Sequence, residues 1–175
     1  MRTLKKKNTL ITGLPGTGKT TLIRKIAGAL KSSNPSGFYT AEIREGSIRK
    51  GFELVSLTGE RRLLSHTNID SRHRVGKYRI DLDGFETFLD TIDFENPSAG
   101  PIIIDEIGKM ECFSRKFIGL VENLLDSDKP VVAVVAMKGG GFPQKVKARH
   151  DIVLFELTRK NGDTIFEEIL SLIQK

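Results

Sequence analysis

The sequence is poor in cysteine, lacks tryptophan and contains no long apolar run. Its one cysteine, Cys112, excludes a disulfide within the chain and leaves a cysteine-built metal site without ligands. Cysteine usage this low points to a reducing, intracellular setting. His66 and His73 have no third ligand at metal spacing, so no zinc site is expected. The longest apolar run, Val131 to Met137, is too short to cross a bilayer, and no membrane contact is expected. The start, Met1-Arg-Thr-Leu-Lys-Lys-Lys, has no apolar stretch and no cleavage site, so it does not read as a secretory leader. A cytoplasmic location follows as the expectation. No internal repeat or low-complexity tract is present.

What is there describes an ordinary globular chain. Its 175 residues are 38% hydrophobic and 29% charged, which fits one domain over residues 1–175 with enough core to fold unaided. Lysine and arginine outnumber aspartate and glutamate by 28 to 22, and the net charge of +6 favours anionic partners. Nothing indicates an oligomer, and a monomer is the default expectation.

Apolar, β-branched runs alternate with helical patterns. Residues 8–12, 102–105 and 131–136 read as buried strands and 152–156 as a further strand, and the 3–4 spacing of Leu22, Ile23, Ile26 and Leu30 predicts a helix over 18–30. Further helices are expected around Phe85–Ile92, Phe113–Leu125, 143–149 and Ile165–Ile173. This alternation indicates an α/β fold with a mostly parallel sheet covered on both faces. Residues 38–65 depart from it. Three short runs separated by Glu45-Gly46-Ser47 and Thr58-Gly59-Glu60 have hairpin spacing, so an antiparallel excursion is expected there. Residues 66–80 are polar and basic without a period, and read as a long loop.

Gly13-Leu14-Pro15-Gly16-Thr17-Gly18-Lys19-Thr20 matches the phosphate-binding pattern G-x-x-x-x-G-K-[ST], between a strand and an amphipathic helix. Glycines let backbone N–H groups turn inward around a phosphate, and the helix start adds the positive end of its dipole. In this pattern Lys19 reaches the β- and γ-phosphates, Thr20 offers a hydroxyl to Mg²⁺, and Thr21 lies within the same nucleotide-binding segment. Ile102-Ile-Ile-Asp105-Glu106 has the form of a Walker B strand. Asp105 is suited to hold Mg²⁺ through water. Glu106 is suited to orient and deprotonate an attacking water, and the alternation of a strand aims the two carboxylates differently. Arg72, Arg74 and Lys77 in the basic loop are candidates for a charge clamp on the transferred phosphate. Lys109 and Glu111 either pair with each other or face the site. Asp105-Glu-Ile-Gly108 fits the D-x-x-G string of GTPases, but no guanine-reading Asn-Lys-x-Asp follows, so a dedicated GTPase is rejected.

With both motifs placed, the chain resembles a family of small P-loop nucleoside-triphosphate phosphatases of thermophiles, with animal relatives. The resemblance covers nearly the whole chain. It rests on Gly13–Thr20, on Gly37-Phe-Tyr-Thr40 with Glu42-Ile-Arg44, on Gly51-Phe52, on Arg74-Val-Gly-Lys-Tyr78, on Ile104-Asp-Glu-Ile-Gly-Lys-Met-Glu111 and on Val153 through Leu157. It implies a three-layer, RecA-like core with a β-hairpin insertion. It also implies Mg²⁺-dependent hydrolysis of ATP, GTP, CTP and UTP with weak base selectivity. The segment Ala136-Met-Lys-Gly-Gly-Gly141 is more glycine-rich than the resemblance leads one to expect. Lys138 is the nearest candidate there for meeting a γ-phosphate. The rival readings are a small-molecule or nucleic-acid kinase and a nucleic-acid-stimulated ATPase; in the latter the basic loop would bind the polymer.

Overall fold

The computed structural model describes residues 7–174. The basic start at residues 1–6, on which the leader reading rests, lies outside them. β1 (Asn8–Thr12) is buried at every position, and the phosphate-loop sequence follows it into α1 (Lys19–Ala29). β2 (Ser36–Glu45), β3 (Ile48–Ser56) and β4 (Arg61–His66) form the antiparallel excursion. The basic segment then forms a second hairpin, β5 (Arg74–Val75) and β6 (Tyr78–Ile80), where a long loop was expected. Two- and three-residue strands are too short to show a period. Their pairing comes from the turn at Gly76, whose φ of 58° favours glycine, and from the ladder of β6 on β4. α2 (Leu82–Asp90) leads to β7 (Ile102–Ile107), α3 (Arg115–Asp126), β8 (Val131–Val135), α4 (Phe142–Lys147), β9 (Ile152–Glu156) and α5 (Gly162–Ile173).

The nine strands among the described residues form one sheet in the order β5-β6-β4-β3-β2-β7-β8-β1-β9. The half from β2 to β9 is parallel, and the half from β2 to β5 is antiparallel. β2 belongs to both halves. β8 lies between β1 and β7, which sets the phosphate-loop strand and the acidic strand one strand apart with parallel directions, so their C-terminal ends open on the same side of the sheet.

Alternation along the central strands builds two cores. Leu10, Ile104 and Ala133 face Phe85 and Phe88 of α2 and Phe117 and Val121 of α3. Ile11, Ile103, Val132 and Val134 face Leu22, Ile23 and Ile26 of α1 and Ile165 and Ile169 of α5. Fully burying each such aliphatic side chain contributes about 1.5–3 kcal/mol. The starts of α2 and α3 are fixed by side chains, Asp81 and Ser114. Ser114 Oγ accepts from Phe117 N at 3.0 Å and donates to Glu86 Oε1 at 2.6 Å, which ties the start of α3 to α2. The result is a three-layer α/β fold. No helix among the described residues is long and apolar enough to cross a membrane.

Candidate active site

The site forms where β1 and β7 end. Gly13 leaves β1 so close to the segment after β9 that a Cβ on it would stand 2.5 Å from the Leu157 carbonyl oxygen. Only glycine fits there. Gly16 and Gly18 have φ of 76° and 93°, the conformations that turn successive N–H groups toward one point. Leu14 is exposed. Thr17 Oγ1 donates to the Leu14 carbonyl at 2.9 Å, bracing the loop. Lys19 Nζ donates to the carbonyls of Gly13 and Leu14 at 2.8 and 2.9 Å, so the ammonium lies over the loop's own backbone. Gly18 starts α1 without any side-chain cap, leaving the first helical N–H groups available to an anion.

One short hydrogen bond joins loop and acidic strand. Thr20 Oγ1 donates to Asp105 Oδ2 at 2.7 Å, and Thr40 Oγ1 of β2 approaches the same oxygen at 3.5 Å. The acidic pair lies within β7, which runs on to Ile107, whereas the sequence pattern set the strand's end at Asp105. Three residues of β7 span two of β8 here, since Ile104 pairs with Ala133 and Ile107 with Val135. Bulges of this kind re-aim side chains beside active sites. Asp105 points toward α1. Glu106 lines a cavity of about 220 Å³ with Thr40, Phe52, Val75 and Glu111.

Burial pushes the Asp105 carboxyl up, against the pull of its Thr20 and Thr40 hydrogen bonds and the Lys19 charge. Burial also raises Glu106, and the Asp105 charge adds to that rise while Lys19 opposes it. Glu111, only 4% exposed, is driven furthest, well above the ordinary carboxylate range, first by burial and then by the Glu106 charge. Gly108 is the point at which these two glutamates meet. A Cβ there would lie 2.4 Å from Glu106 Oε1 and 3.0 Å from Glu111 Oε2, so the two oxygens are no more than about 5.4 Å apart. Two carboxyls this close do not both ionise freely.

The other candidates separate. No ion pair joins Lys109 to Glu111 among the described residues; Glu111 faces the site. Arg74 sits on β5 at the outer edge of the sheet, and Lys77 lies over the Tyr78 ring at 5.4 Å. Arg72 contacts His73. No hydrogen bond or ion pair links any of the three to the acidic pair among the described residues, although Val75 between them lines the Glu106 cavity. Lys138 lines a different cavity. Cys112 is half-buried and its thiol is pushed up to about 12, first by burial, so it stays protonated and is no nucleophile. Thr40 entered the sequence reading only within the string Gly37-Phe-Tyr-Thr40, with no role of its own. A lone threonine in a strand carries no signal until the parallel pairing of Phe38 with Ile104 sets β2 beside Asp105.

Comparison with known proteins agrees with this geometry. A family profile described as "NTPase" matches residues 8–170. The chain is 45% identical to the nucleoside-triphosphatase THEP1 of Thermotoga maritima, over 94% of both chains. It is 36% identical to the cancer-related nucleoside-triphosphatase of Homo sapiens, over 96% of this chain and 97% of that protein. The crystal structure of THEP1 from Aquifex aeolicus superposes with a TM-score of 0.83 at 34% identity, covering 96% of this chain and 99% of the other.

Proposed function

The chain belongs to this NTPase family, and on that premise we propose that it hydrolyses the β–γ bond of nucleoside triphosphates with Mg²⁺ and with little selectivity for the base. The observation that carries the reading is the 2.7 Å hydrogen bond between Thr20 and Asp105. It unites a helix-start hydroxyl, a buried carboxylate and a glycine loop around one small volume. Hard oxygen donors of this kind suit Mg²⁺, with Thr20 as direct ligand and Asp105 acting through water. When bound, the ion neutralises charge on the β- and γ-phosphate oxygens.

The chain's own residues do the rest. The N–H groups from Gly13 to Thr21 cradle the phosphates, because the glycines turn them inward and α1 starts uncapped. Lys19 leaves the Gly13 and Leu14 carbonyls and follows the charge developing on the transferred phosphoryl. Glu106 orients the attacking water and takes its proton. Its raised affinity for protons, caused by burial and by Asp105, brings it closer to the range in which a carboxylate works as a base at neutral pH. Selectivity is low because the binding groups named here all address the triphosphate. We read residues 1–175 as one such domain.

The test is phosphate release from ATP, GTP, CTP and UTP with Mg²⁺, for the wild type and Glu106→Gln. Comparable turnover of all four by the wild type, with binding but no turnover by the variant, supports the reading. A wild type that is inert without a phosphoryl acceptor or a nucleic acid overturns it in favour of a kinase or a stimulated ATPase.

A further inference from the structure

Beyond the C-terminal ends of β7 and β8 lies a second cavity, of about 480 Å³, that hydrolysis does not use. That volume is within the usual range of small-molecule sites, roughly 300–1,000 Å³. Its walls are largely apolar, with Phe113 and Phe142 presenting two aromatic rings and Pro143 a third surface. Its charge is of one sign. Lys109 and Lys138 line it, and no carboxylate does. Neither lysine forms an ion pair among the described residues, whereas Lys116 and Lys145, on α3 and α4, are held by Asp90 and Glu122.

Two further features mark the cavity as built for an occupant. Phe113 keeps 36% of its surface exposed at the rim, and His73, just before β5, packs against it at a tilt of 53° with ring centroids 5.3 Å apart. Gly139, Gly140 and Gly141 form the opposite rim, and a Cβ on any of them would meet nothing within 4 Å. The backbone there is therefore open without packing demanding it. Lys109 also lines the Glu106 cavity, so the two spaces adjoin through one side chain.

We propose that this cavity binds a second ligand alongside the triphosphate: a planar aromatic ring carrying a phosphate, of the nucleoside-monophosphate class. The charge complementarity selects an anion. Inorganic phosphate alone would leave the phenyl faces uncovered. A neutral aromatic ligand would cover the rings but engage neither Lys109 nor Lys138, whose exposed ammonium groups stand at the cavity rim. A ring stacked on Phe113 with its phosphate between Lys109 and Lys138 satisfies both halves of the lining.

The experiment is a calorimetric titration of AMP and CMP into the full chain saturated with Mg²⁺ and a triphosphate analogue whose β–γ bridge cannot be cleaved. Adenosine and inorganic phosphate are titrated in parallel. The expected result is saturable mononucleotide binding with the analogue still bound, and binding of each half-ligand weaker by about tenfold or more. Phe113→Ser and Lys138→Glu should each weaken AMP by about tenfold, and Phe113→Ser should leave the affinity for the analogue unchanged. Gly140→Trp crowds the cavity from a position with free space and should abolish AMP binding, which keeps the test open if Phe113→Ser folds poorly. Displacement of AMP by the analogue, AMP affinity indifferent to Phe113→Ser and Gly140→Trp, or binding of oligonucleotides but not mononucleotides each overturns the proposal. Hydrolysis is not its premise: an inert chain that binds AMP in this way upholds it, and a hydrolysing chain that does not refutes it.

Discussion

The two ends of the parallel sheet hold their carboxylates in opposite circumstances. At the N-terminal end, Asn8 is fully buried and every polar atom of its amide is engaged. Its Nδ2 donates to Leu125 O at 3.0 Å and to Asp151 Oδ2 at 2.9 Å, and its Oδ1 accepts from Val131 N at 3.3 Å. Arg149 donates to both oxygens of Asp151 at 2.9 Å and to Asp126 at 2.7 Å. The Arg149 hydrogen bonds hold the Asp151 carboxyl below the usual range. At the C-terminal end, Asp105, Glu106 and Glu111 crowd together and all three are pushed up. Thr12, the last residue before the phosphate loop, has the one buried side-chain polar atom without a partner among the described residues. One end closes its electrostatics within the chain. The other leaves them open for charges that a substrate and its cation bring, which is where perturbed carboxyls belong.

That contrast can be broken from either side. The largest effect is expected at the open end: Glu106→Gln should cut turnover by about 10²–10⁴ while triphosphate binding survives, read by phosphate release and by equilibrium titration. At the closed end, Asn8→Ala strands the Val131 N–H and the Leu125 carbonyl. It should cost about 1–3 kcal/mol of folding stability, lowering the melting temperature by several degrees and leaving turnover below that temperature unchanged.

Glu111→Gln sharpens the comparison through pH. The folded protein holds Glu111 protonated above the unfolded value of about 4.3, so its ionisation opposes folding as pH rises. The variant should therefore be more stable than wild type at pH 7, with the difference fading as pH falls toward about 4.3. Asp151 has the opposite sign. Its lowered folded value stabilises the protein above the unfolded value of about 3.9, and this contribution is lost as pH falls further, through the folded value. Asp151→Asn should be less stable than wild type at pH 7 and converge with it in strong acid; denaturant titrations from pH 3 to 8 measure both. The smallest effect belongs to Thr40→Val. Its contact with Asp105 is long, at 3.5 Å, and its loss should change the Mg²⁺ requirement of hydrolysis by no more than about threefold.

The closed end and the central strands were legible in the sequence to different degrees. The bounds of β1 and β9 were readable to the residue, because each is a mostly apolar or β-branched run, with Asn8 opening the first and Glu156 closing the second. The phosphate loop was readable because its glycines have a local steric purpose. The partners of the acidic pair were readable only in part: Glu111 was a candidate for facing the site, but its meeting with Glu106 and the place of Thr40 were not readable. Thr40 reaches Asp105 through strand pairing, and Glu111 meets Glu106 over Gly108 after a 3₁₀ turn at Glu111–Phe113. Both contacts depend on the fold closing, and neither leaves a periodic trace. The basic stretch misled for a related reason: its charges suggested a solvated loop, while Tyr78 and Ile80, both buried, tie it down as a strand.

β2 spans ten residues, about 33 Å at 3.3 Å per residue, and its ladder with β3 shifts register only between Ile43 and Arg44, beyond Thr40. It pairs with β7 along one edge and β3 along the other. Up to that shift the antiparallel half of the molecule is thus a plank continuous with the catalytic floor. A load on the outer hairpin is carried by ladder hydrogen bonds to Thr40 and so to the oxygen of Asp105 that Thr20 holds. The two stretches outside any ladder, Gly13–Gly18 and Met137–Gly141, flank the same end of the sheet. The alignment of the acids is set by the plank and not by those loops.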